Sequence, residues 1–154
     1  MLSVPYALHA SNAHQYRLGD LAHGGIIFSL LRGADGIAPS LVASLSYIEG
    51  SMPWSSQYEI TASNSSSNGQ QNMGSNEAGE LCETYSYENA GTGETFDYWY
   101  LPTIWELNDM SKAALVINNI LLNDNVDTTT GLNEDLDSGY WSSTEIGSTF
   151  AWYI

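Results

Sequence analysis

Residues 99–122 read "WYLPTIWELNDMSKAALVINNILL", and the reading of this stretch decides the fold class. Trp99–Leu101 is a short apolar run of strand type, and Pro102 stops it because proline has no N–H for a ladder. Thr103-Ile-Trp-Glu106 has the form of a capping box. The Thr103 hydroxyl accepts from the Glu106 N–H, and the Glu106 carboxylate reaches back to the Thr103 N–H. Leu107, Met110, Ala114, Ile117 and Leu121 then recur at helical spacing. The segment predicts a strand end, a stop and a capped helix, and it gives Glu106 a structural task rather than a catalytic one.

Outward from this helix, Ala78, Leu81, Cys82 and Tyr85 form one apolar stripe and predict a second helix over 77–87. Cys82 on that stripe reads as a small core residue. Ile26–Leu31 is a continuous apolar run, hence a buried strand behind the Gly24-Gly25 bend. Leu41–Tyr47 is a further strand. Tyr140–Thr144 and Phe150–Ile154 are the last strands, with a turn at Gly147. Residues 1–10, "MLSVPYALHA", read as an extended or edge segment containing Pro5. Strands and two helices without βαβ alternation predict an α+β fold. Residues 61–76, "TASNSSSNGQQNMGSN", are polar and of low complexity and read as a loop.

The chain has 154 residues, the size of one domain, and 43% of them are hydrophobic. Five Trp and ten Tyr suit an aromatic-rich core or an adhesive surface. Three cations (Arg17, Arg32 and Lys112) face 18 acids, a net charge of −15. Nucleic acid needs a cationic face, and anionic membranes repel such a chain, so both are excluded as partners. One cysteine excludes an internal disulfide and a cysteine zinc cluster. No apolar run is long enough to span a bilayer. The first residues lack the basic start and apolar stretch of a signal peptide, so a secreted form would have its signal upstream or already removed.

Four segments occur in order: "YRLGDLAHGGIIF", "AGELCETYS", "DYWYLPTIWELNDM" and "GYWSSTEIGSTFAWY". Together they resemble the bacterial Lcl C-terminal domain family of a collagen-like adhesin, and its relative, the Fibrobacter succinogenes major paralogous domain. The resemblance covers roughly residues 16–154. Its signature residues are Trp99, Leu101, Pro102, Thr103 and Glu106, then Tyr140, Trp141, Ser142, Ser143 and Thr144. It implies a C-type-lectin-like fold, a mixed sheet with two helices, at the bacterial surface or outside the cell. It implies adhesive or structural work, with no enzyme chemistry and no cofactor. Family members continue past "AWY" to a final strand, so the chain is expected to lack one strand. "LSVPYALHA" resembles the element that joins a preceding β module to such domains. Residues 1–15 are therefore set apart as an N-terminal extended segment.

Each candidate site has a plain alternative. "GYWSSTE" at 139–145 lacks the glycine-flanked turn of a serine nucleophile. It reads as scaffold, with Trp141 in the core and hydroxyls satisfying backbone groups, a ligand contact being the alternative. His9, His14 and His23 match no zinc spacing. Asn123, Asn125, Asp127 and Glu134 have the spacing of calcium-loop oxygens, but the leading aspartate and the turn glycine are missing. Asn64-Ser65-Ser66 is an N-x-S sequon.

The expected function is an extracellular, non-enzymatic structural or adhesive protein whose partners are copies of itself. Leu2, Val4, Tyr6 and Leu8 alternate as a strand with one buried face requires. Residues 2–8 of one copy would complete the sheet of the next, at the edge left by the missing last strand, and build a filament head to tail. The alternative at this segment is that residues 1–10 fold back onto their own domain. The alternative function is a lectin-like module that binds a glycan.

Overall fold

The computed structural model describes residues 6–9, 16–30, 40–45, 53–55, 63–74, 76–123, 131–132, 139–147 and 150–153. The main sheet holds β1 (Tyr6–His9), β2 (Leu21–Ala22), β3 (Gly25–Leu30) and β4 (Ser40–Ser44) in the spatial order β1-β4-β3-β2. Ile26, Phe28, Leu41 and Ala43 pack on one face, while Ile27 and Val42 pack on the other against Trp99. Burial on both faces explains why these strands read as unbroken apolar runs rather than alternating ones. A Cβ on Gly25 would collide with the Ala43 carbonyl oxygen, so the close approach of β3 to β4 requires glycine there.

Among the described residues there are three α-helices, not two: α1 (Glu77–Glu83), α2 (Ile104–Lys112) and α3 (Ala114–Leu121). The long helix expected after Pro102 breaks at Ala113, where ψ is 1°. The Ala113 carbonyl still accepts from Val116 and Ile117, so α3 restarts at once on a new axis. The break also moves the stripe by one residue. Ala113, not Ala114, joins Leu107, Met110, Ile117 and Leu121 over the sheet. Trp99–Leu101 is buried, but only Tyr100 bridges a neighbour, so no strand forms there.

The helix expected over 77–87 ends at Glu83, and Tyr85 leaves it to meet Trp99 edge-on at 5.5 Å. Two hairpins complete the chain: β5 (Tyr87–Glu88) with β6 (Thr95–Phe96), and β7 (Trp141–Gly147) with β8 (Phe150–Tyr153). Among the described residues every ladder is antiparallel, which replaces the mixed sheet expected. The β2–β3, β5–β6 and β7–β8 connections are too short for the crossover that a parallel pair needs. The architecture is α+β.

Candidate functional site

The sequence signatures converge on one buried polar layer between α2, β7 and residues 63–72. The capping box at its centre is complete. Glu106 Oε2 accepts from the Thr103 N–H at 2.9 Å and from the Thr103 hydroxyl at 3.0 Å, and the Glu106 N–H returns to Thr103 Oγ1 at 3.4 Å. The same carboxylate also accepts from the Gly69 N–H at 3.1 Å and from the Tyr100 hydroxyl at 3.4 Å. Burial pushes the Glu106 carboxyl up from its ordinary value, and the hydrogen bonds from Thr103, Gly69 and Tyr100 oppose that shift. A Cβ on Gly69 would strike the Tyr100 ring and the Leu101 carbonyl, so glycine alone fits this approach.

Asn72 ties the low-complexity segment to β7. Its Oδ1 accepts from the Ser65 N–H at 3.1 Å. Its Nδ2 donates to Ser65 O at 2.8 Å, Ser143 O at 3.2 Å and Ser143 Oγ at 3.0 Å. Thr144 Oγ1 accepts from the Ile104 N–H and donates to Ser65 O. The Ser143 N–H donates to Pro102 O at 2.7 Å, which joins β7 to the start of α2. Residues 63–72 are thus hydrogen-bonded to β7 and α2, with a short 3₁₀ turn at Gly69–Asn72 capped by Asn68.

The two serines of "GYWSSTE" are buried and bonded within this layer. Ser142 and Ser143 are 0% and 2% exposed. Ser142 Oγ accepts from the Thr144 N–H at 3.2 Å, and Ser143 Oγ accepts from Asn72. Among the described residues neither hydroxyl bonds to a histidine or a carboxylate, which a serine nucleophile requires. Trp141, expected to fill the core, is only partly buried. Trp54 takes the buried place and donates its Nε1–H to Ser142 O at 3.0 Å. Cys82 is fully buried beside Trp54, and burial pushes its thiol far up, away from the thiolate that nucleophiles need.

No family model matches the chain, and no curated protein or solved structure does.

The remaining candidates are dispersed. His23 lies in the β2–β3 turn at φ 54°, edge-on to the Tyr16 ring at 5.5 Å. Burial lowers its imidazole, with Glu94 opposing. His9 is in β1, and His14 lies outside the described residues. Asn123 spends its side-chain amide on the Asn119 carbonyl. Asn125, Asp127 and Glu134 lie outside the described residues, as do Leu2 and Val4.

Tyr6 and Leu8 fall in β1, which sits at the edge of the main sheet and pairs with β4 of its own chain. Their register partners are Ala43 and Leu41. The sequence offers residues 1–10 two courses, completing the sheet of a neighbouring copy at the edge left by the missing last strand or folding back onto their own domain; Tyr6–His9 takes the second, on β4, whose residues Leu41, Val42 and Ala43 are buried.

Four residues that matter were invisible beforehand: Trp54, Gly69, Asn72 and Asn118. The Asn118 amide clamps Leu132 from both sides, accepting from its N–H and donating to its carbonyl. The one available signal was the cap-like Asn68-Gly69 pair, since the joining partners lie 14 to 88 positions away and leave no periodicity.

Proposed function

We propose that this chain is an extracellular structural or adhesive surface domain of C-type-lectin-like type, allied to the Lcl C-terminal domain family, whose copies join head to tail by exchanging β1. The observation that carries the reading is the place of β1. It is a four-residue strand at a sheet edge, paired with β4 alone and joined to the rest of the chain through residues 10–15. The ladder that Tyr6–His9 forms on its own β4 is the ladder it would form on the β4 of a neighbour, so exchange costs little beyond opening the connection. An open chain of such exchanges is a filament.

The buried layer supports a non-enzymatic role. Its hydroxyls and its carboxylate are spent on one another, on the Asn72 amide and on backbone groups, and the sole thiol is buried. A glycan-binding module is the second reading. Two aromatic side chains, Tyr98 before Thr103 in sequence and Trp105 after it, stand exposed and offer flat apolar faces.

Negative-stain microscopy of concentrated protein separates the two. The exchange reading predicts filaments that vanish when residues 1–10 are deleted. Discrete particles from the intact chain, with a saccharide bound, would favour the second.

A further inference from the structure

Asn68-Gly69 is the only Asn-Gly pair in the sequence. Such a pair is prone to cyclise, because glycine sets no side chain beside the attacking nitrogen and leaves the backbone free to turn. The Gly69 nitrogen, once base has removed its proton, attacks Asn68 Cγ. The N–Cγ bond forms, the Cγ–Nδ2 bond breaks, and Nδ2 leaves as ammonia after taking a proton from solvent. Water then opens the cyclic imide at either carbonyl and leaves aspartate or isoaspartate at position 68.

The fold prepares one half of this reaction and blocks the other. Asn68 Oδ1 accepts from the Gln70 N–H at 3.1 Å, which polarises the carbonyl that would be attacked. The nucleophile is held back. Gly69 is buried, and its N–H donates to Glu106 Oε2 at 3.1 Å and Oε1 at 3.4 Å. A carboxylate at that distance opposes the second negative charge that deprotonation would place on the nitrogen. The backbone angle is also wrong for closure. Asn68 ψ is 101°, which turns the Gly69 nitrogen away from Asn68 Cβ, whereas the ring needs the two nearly eclipsed. Rotation is resisted at both ends of the peptide, since Asn68 O accepts from the Gln71 N–H at 3.2 Å.

We propose that Asn68-Gly69 is a site of spontaneous backbone modification, barred in the folded chain by the Glu106 carboxylate and released when residues 63–72 part from α2. The change runs one way. Gly69 sits where a Cβ would strike the Tyr100 ring and the Leu101 carbonyl. Isoaspartate adds a methylene to the main chain just before Gly69 and displaces it from that fit. An opening long enough for the ring to close therefore leaves a permanent mark on the layer.

Peptide mapping by mass spectrometry tests this on the full chain, folded and in urea, in mildly alkaline buffer. It reads the amide-to-acid mass gain at Asn68, which isomerisation at Asp35-Gly36 does not produce. The unfolded chain is expected to convert at least about tenfold faster than folded protein. Glu106→Gln keeps an acceptor but removes the charge, and is expected to raise the folded rate by about tenfold. Ile117→Val, in the core cluster away from this layer, is expected to leave that rate unchanged. Hydrogen exchange at the Gly69 amide needs no variant and is expected to be slow in the parent. Equal conversion of folded and unfolded parent would overturn the proposal, as would an unfolded chain that does not convert. So would free exchange of the Gly69 amide, or equal acceleration by Glu106→Gln and Ile117→Val.

Discussion

Asn72 and Ser143, 71 positions apart, are joined by two hydrogen bonds from one amide nitrogen, to the Ser143 carbonyl at 3.2 Å and its hydroxyl at 3.0 Å. This contact turns a polar stretch without periodicity into part of the core. Asn72→Ala leaves the part-buried Ser65 N–H and the buried Ser143 carbonyl without this partner and is expected to cost roughly 2–3 kcal/mol. Ser143→Ala leaves the amide two carbonyls to bond and should cost only about 1 kcal/mol. Urea unfolding of both variants measures the difference. A larger loss from Ser143→Ala would mean that the hydroxyl, and not the amide, organises the layer.

The capping box predicts a second ordering. Thr103 is fully buried and both donates to and accepts from Glu106. Thr103→Ala should therefore fall at the upper end of cap losses, about 2 kcal/mol. Thr103→Ser keeps the hydroxyl and should cost well under half of that.

Glu106 predicts a pH dependence with a definite sign. Its folded-state value is raised by burial, so the folded protein holds this proton more tightly than the unfolded chain does. The stabilisation linked to that proton is fully present below the ordinary glutamate value of about 4.3. It is lost as pH rises through the raised folded value. Glu106→Gln does not titrate, so the stability of the parent protein relative to the variant should fall as pH rises from acid to neutral. Urea midpoints across that range read it directly. An advantage of the parent that grows with pH would show that the four donors outweigh burial.

Cys82 predicts silence. A buried thiol with a raised value is neither accessible nor ionised near neutral pH. A thiol-specific chromogenic reagent should react with folded protein no faster than the protein opens, and stoichiometrically in denaturant. Rapid reaction of folded protein would place the thiol at the surface.

Much of this fold was legible in local pattern. The capping box, the β3 run and the apolar stripe of α2 each depend on neighbours within a turn or a strand, where spacing carries the information. The break at Ala113 was not legible, because alanine favours helix and nothing in "SKAALV" signals a stop. The terminal hairpin was legible, while β2 and the β5–β6 hairpin were not, because strands of two residues carry no periodicity. The layer around Asn72 and Glu106 was half legible. The Thr103–Glu106 half is local, while the Gly69, Asn72 and Ser143 half is made by contacts across most of the chain. Trp54 took the core place expected of Trp141 for the same reason. An aromatic residue in strand context reads as buried, but which one is buried depends on the neighbouring layer.

The central claim is that β1 passes from one copy to the next, and its register supplies a direct measurement. Ala7 and Val42 are ladder partners. Cross-strand partners of an antiparallel pair stand at a separation that a disulfide can bridge. In a Cys82→Ser background, Ala7→Cys and Val42→Cys together should oxidise to a bridge wherever the ladder forms. Mild oxidation of assembled protein followed by denaturing, non-reducing electrophoresis reads which chains were joined. Strand exchange predicts a ladder of covalent dimers, trimers and higher species that collapses on reduction. A single band of internally bridged monomer from protein that had visibly assembled would contradict it.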